Sequence, residues 1–107
     1  MKVFGFYGLK IPLPFNWQIE IWLSPKRSNI PLHNHPNIDS YLIFLGGNMN
    51  WIAGNKTKFL SWFDIGKGFS VPAGVDHGAT GYGVFVNFER WLSPIKSSAA
   101  YDLRFNN

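Results

Sequence analysis

The sequence predicts an all-β fold, a sandwich or barrel, on three observations. Apolar and polar residues alternate at the two-residue period of a strand, most clearly from Trp17 to Leu23. Glycine and proline interrupt the chain about every 8–12 residues, the spacing of short strands joined by turns. No segment holds a helical apolar repeat long enough to compete.

The strands follow in order. Ile19, Ile21 and Leu23 share one face of the first, with Gln18, Glu20 and Trp22 on the other, until Ser24-Pro25-Lys26 breaks the run. Ile30 to His35 is a second extended piece, kept from helix by Pro31 and Pro36. Ser40 to Leu45 runs to Gly46-Gly47-Asn48, and Met49 to Ala53 returns to a turn at Gly54-Asn55. Asn55-Lys56-Thr57 has the form of a glycosylation site but reads as part of that hairpin loop. Lys58 to Phe63, Phe69 to Val71, His77 to Thr80 and Tyr82 to Trp91 complete the series, and Ser97 to Phe105 reads as a short helix or a loose tail.

Composition narrows the function classes. The chain has 107 residues, 46% hydrophobic, with ten Phe, five Trp and four Tyr. That is one globular domain, expected over residues 1–107 with its core at about 17–91 and a C-terminal extension at 92–107. The formal net charge of +4 reflects scarce acids more than a basic run. Lysines and arginines are scattered, so no nucleic-acid partner is expected, although a positive field attracts small anions. Cysteine is absent, which excludes disulfides and thiolate chemistry but assigns no compartment. Gly5, Gly8, Lys10 and two prolines break the N-terminus, so no secretory leader is expected there, and no stretch is apolar enough to span a membrane. The expected location is the cytoplasm.

The three histidines carry the chemistry. His33 and His35 sit two apart on a strand and therefore share a face, with Asn34 opposite. Imidazoles converging with a third, or with a carboxylate, make a transition-metal site. The third histidine, His77, follows Gly66, Pro72 and Gly74.

Both stretches resemble the two motifs of the cupin superfamily. The first runs Gly, five residues, His-x-His, three or four residues, Glu, six residues, Gly. His33, His35, Asp39 and Gly46 follow that spacing. The second runs Gly, five residues, Pro-x-Gly, two residues, His, three residues, Asn, and Gly66, Pro72, Gly74 and His77 fall in place. Three positions depart: the leading glycine near Arg27 or Ser28 is missing, Gly81 stands where the closing asparagine would be, and Asp39 replaces the usual glutamate. The resemblance implies a double-stranded β-helix, the cupin or jelly-roll barrel, holding one divalent transition metal ion: Fe, Mn, Ni, Zn, Co or Cu. It also implies a homodimer, since cupins often dimerise, and an aromatic sheet face left exposed would be read as that interface.

The resemblance places His33, His35, Asp39 and His77 as ligands, against a metal-free cupin as the plainer alternative. Asp39 has three readings: a direct ligand, a group that holds a ligand water or imidazole N–H, or an Asx-turn residue. If it does not ligate, a three-histidine face with more open positions remains. Two residues beyond lies Tyr41, expected on the same face. It is a packing residue or, by likeness to the cupin dimethylsulfoniopropionate lyases, a catalytic base. Gln18, Glu20 and Trp22, and Asn87 and Glu89 on the last strand, either line the substrate pocket or face outward. The function expected is a metal-dependent enzyme, a lyase, isomerase or dioxygenase, on a small organic substrate with carboxylates among the candidates. The alternative is a non-catalytic small-molecule- or metal-binding module.

Overall fold

A computed structural model describes residues 2–92 and the backbone of residues 104–105. The chain forms β1 (Lys2–Val3), β2 (Phe6–Pro12), β3 (Trp17–Asn34), β4 (Ile38–Ala53), β5 (Lys56–Leu60), β6 (Gly68–Val71), β7 (His77–Trp91) and β8 (Arg104–Phe105). One 3-10 turn lies at Trp62–Asp64. All pairings are antiparallel, in the order β1-β2-β3-β7-β4-β5, with β6 on β4 and β8 on β3.

Three strands are longer than the sequence reading makes them, because each bends where a break is expected. The β3–β7 register shifts between Ser24 and Ser28, and the β4–β7 register between Phe44 and Gly46. Gly81 and Gly83 bend β7, both at positive φ. Glycine is required here by proximity as well as by angle. A Cβ on Gly47 would strike the Tyr82 carbonyl oxygen, and one on Gly83 the Gly46 carbonyl oxygen.

The bends fold the ladder onto itself, so the two halves face each other. Phe6, Trp22, Leu42, Phe44 and Phe85 from one half join Met49, Trp51, Leu60 and Ala79 from the other in a single buried cluster. Across the gap, Trp51 meets Phe85 edge-on at 5.0 Å between ring centroids, and Phe85 also meets Phe6 at 5.7 Å.

The first long strand is inverted relative to ordinary patterning. Gln18, Glu20, Trp22 and Ser24 are buried, whereas the aliphatic set faces out, with Leu23 46% exposed. The pairing sets Leu9, Ile21, Val86 and Ile43 in one outer row and Ile11, Ile19, Phe88 and Tyr41 in the next. β1 and β2 add strands before Trp17, where the sequence reading places none, and Lys58–Phe63 resolves into the end of β5 and the 3-10 turn. Most of the expected C-terminal helix or tail lies outside the described residues; Arg104–Phe105 pairs as a strand with His33 and Asn34. Among the described residues no helix is long and apolar enough to cross a membrane.

Candidate metal centre

His33 and His77 are directly paired in the β3–β7 ladder, which puts their rings side by side at 4.3 Å between centroids. His35 follows at the end of β3, its ring 5.0 Å from His33 and 5.1 Å from His77. Its carbonyl accepts the Gly74 N–H at 3.0 Å, tying the histidine strand to the Pro72–Gly74 turn. One nitrogen from each ring lies within 4.8 Å of the other two.

The tautomers are set by the backbone. His33 Nδ1 lies 2.7 Å from the Pro31 carbonyl oxygen, and His77 Nδ1 lies 3.0 Å from that of Val75. A carbonyl only accepts, so each Nδ1 carries the hydrogen and, in the neutral ring, each Nε2 is the nitrogen with a lone pair. Burial holds the pKa of His33 below the ordinary value. For His77, burial first and the neighbouring imidazole of His33 second bring it down to about 4. Neutral imidazoles are what a divalent transition metal requires, and the convergence of the three rings fits the ion that the motif implies.

Two expected site residues lie elsewhere. Asp39 and Tyr41 are not among the cavity residues: they line a separate outer groove with Trp17, Ser40, Ser70, Pro72, Phe88 and Arg90. Asp39 Oδ1 accepts the Ala73 N–H at 2.8 Å, and the Tyr41 side chain is 46% exposed. The parity of β4 is not that of the histidine strand. Pro36 and Asn37 separate the histidine strand from β4, so the alternation of one does not carry into the other. Within β4 it is Ser40 and Leu42 that reach the cavity. Four residues separate His35 from Ser40, the longer of the two spacings in the first motif.

The remaining expected residues are turned inward, but Gln18 and Glu89 are buried without lining the cavity. Glu20, Trp22 and Asn87 line the cavity with the three histidines. Gln18, Glu20 and Glu89 are each 0% exposed. Trp22 Nε1 donates to Glu20 Oε1 at 3.2 Å, and Gln18 Nε2 donates to Glu89 Oε2 at 3.4 Å. Burial, followed by the negative charge of Glu20, pushes the Glu89 pKa well above the ordinary carboxyl range. Val3, Phe4 and Phe6 also wall the cavity, a contribution of β1 and β2 that no motif signals. Water centres have about 70 Å³ to occupy there, several times the ~10–15 Å³ that one water needs.

No family model matches the sequence, and no curated protein is similar to it at a significant level. Solved structures are similar in fold. KdgF from Halomonas sp. is 14% identical over 84% of this chain and 82% of its own, with a TM-score of 0.72. An RmlC-like cupin from Shewanella frigidimarina is 18% identical over 86% and 80%, with a TM-score of 0.69. An oxalate oxidase in complex with the substrate analogue glycolate is 12% identical over 88% of this chain and 55% of its own, with a TM-score of 0.70. The chain has the cupin fold, the double-stranded β-helix of the RmlC-like proteins.

Proposed function

We propose that this cupin is a metalloprotein whose His33, His35 and His77 hold one divalent transition metal ion, and that it acts as a metal-dependent enzyme on a small organic molecule in the adjoining cavity. The convergence of three ring nitrogens within 4.8 Å carries the reading. When bound, the ion would polarise an oxygen of the substrate as a Lewis acid. The chain's own groups would do the rest. Phe6, Trp22, Leu42, Trp51 and Phe85 exclude water around the substrate, while Ser40 and Asn87 offer hydrogen bonds to it. An enzyme of the same fold, the oxalate oxidase, holds glycolate, a small hydroxy acid, in its structure.

A second reading is a binder without turnover. It draws on the position of Tyr41 in the outer groove, which leaves the imidazoles without the phenolic base that the motif suggests. Metal analysis of protein produced without a histidine tag, followed by oxygen-uptake and lyase assays on small acids, separates the two. One ion per chain with turnover supports the enzyme. One ion with no turnover supports the binder. Less than a tenth of an ion per chain, with none taken up on reconstitution, overturns both.

A homodimer through the outer sheet face belongs to the same reading. The rows Leu9–Ile21–Val86–Ile43 and Ile11–Ile19–Phe88–Tyr41 present no charged side chain. A second copy related by a two-fold axis meets such a face with the same apolar rows.

A further inference from the structure

We infer that Asn34 and Asp76 are positioning residues for the metal centre: their hydrogen bond clamps the strand end that carries His33 and His35 to the strand start that carries His77. This rests on the proposed metal site and deepens it, since a clamp between the strands matters to an ion only if the three imidazoles hold it together.

The β3–β7 ladder is weak just before the site. Ile30 pairs with Ala79 and His33 with His77, so three steps along β3 match two along β7. A bulge of this kind interrupts the regular pairing, and Pro31 within it has no N–H to donate. The His33–His77 pair lies beyond the bulge, at the first residue of β7. His77 is secured from the other side: it pairs with Ala53 of β4, and the Asp76 carbonyl accepts the Gly54 N–H at 2.7 Å. The end of β3 has no such backing, because β3 does not pair with β4. Two of the three imidazoles therefore ride on a segment whose register against the third must be held from beyond the bulge.

Asn34 and Asp76 stand where that hold is needed. With His33 opposite His77 in an antiparallel pair, the next residue of one strand faces the preceding residue of the other. Asn34 Nδ2 donates to Asp76 Oδ1 there at 3.0 Å. Strand alternation turns Asn34 from the face of His33 and His35, and neither Asn34 nor Asp76 lines the cavity. The converging group is the three imidazoles, without Asp76. The pair can thus set the spacing of the two histidine strands without touching the ion or the substrate. The Gly74 N–H on the His35 carbonyl, at 3.0 Å, is a second tie in the same stretch, so loss of the clamp should loosen the site and not open it.

Zinc titration by calorimetry tests this on three metal-free proteins, each under conditions where it is fully folded: wild type, Asn34→Ala, and the exchanged pair Asn34→Asp with Asp76→Asn. In the exchanged pair the amide and the carboxyl trade strands and can bond again. Asn34→Ala should bind zinc at least about tenfold more weakly, the scale for groups that orient metal ligands, and the exchanged pair should return to within about threefold of wild type. The visible bands of bound cobalt(II), which follow coordination geometry, should change in Asn34→Ala and return in the exchanged pair. A role in folding alone would lower the urea stability of Asn34→Ala and leave both readouts at their wild-type values. Equal zinc affinity in wild type and Asn34→Ala overturns the inference and leaves the metal reading standing. No saturable zinc site in the wild type overturns both. If Asn34→Ala does not fold, the exchanged pair decides: affinity within about threefold of wild type upholds the clamp, and a loss of about tenfold or more overturns it.

Discussion

Acid should destabilise the metal-free protein through His77, and the size of the effect follows from the site. In the unfolded chain its imidazole takes up a proton near 6.5; in the folded chain burial and His33 delay this to about 4. Between those values the unfolded state binds more protons, so stability falls as the pH drops and is fully present above 6.5. At about 1.4 kcal/mol per pH unit, the loss at pH 4 comes to about 3 kcal/mol, a large part of a small domain's margin of roughly 5–15 kcal/mol. The perturbation is His77→Asn, compared with wild type by urea denaturation after chelation, at pH 7 and pH 4. Other groups titrate over that range in both proteins, so the difference between the two curves isolates His77. The wild type should lose about 3 kcal/mol more than the variant. Parallel losses would mean that His77 is solvated or paired in a way the packing of β3 against β7 does not allow, and would refute the reasoning.

Other outcomes follow from where the side chains lie. Tyr41→Phe should leave metal affinity and any turnover within about twofold, because its phenol faces the outer groove; a loss of about a hundredfold or more in turnover, the scale of a missing general base, would restore it to the site. Asp39→Ala should keep one metal per chain yet cost about 1–2 kcal/mol on urea unfolding, since the Ala73 N–H loses its acceptor. Glu89→Gln should raise the melting temperature relative to wild type increasingly above pH 4.5. The folded protein holds a proton there that the unfolded chain releases, so this group's contribution weakens as the pH rises toward its folded value. Ile21→Lys should shift the protein toward monomer in sedimentation velocity, because it places a charge in the middle of the outer apolar row.

The motifs were readable because their spacing encodes a meeting in space. His33 and His35 share a face by strand alternation, and the ladder delivers His77 directly opposite His33. The parity of β4 was not readable, because the three-residue break at His35, Pro36 and Asn37 can preserve or reverse the alternation, and only the fold decides. That reversal brought Ser40 to the cavity, although it borders the outer groove as well, and left Asp39 and Tyr41 in the groove alone. The orientation of Gln18, Glu20 and Trp22 was undecidable for a different reason. Alternation says which residues share a face but not which face is buried, and the usual rule sends aliphatics inward. Here the polar face turns in, Glu20 and Trp22 to the cavity and Gln18 to the buried interior beside it, and the aliphatic face is left outside. The walls supplied by Val3, Phe4 and Phe6 had no signal at all, since short edge strands with glycine between them carry too little periodicity.

Calorimetric titration of chelator-stripped protein with zinc, in the wild type and in His33→Ala, tests the central claim most directly. Three imidazoles acting together predict one site per chain in the wild type and an affinity at least about a hundredfold weaker in the variant, the loss of one ligand costing roughly 3 kcal/mol. Equal affinity in the two proteins, or no saturable site in the wild type, would contradict it.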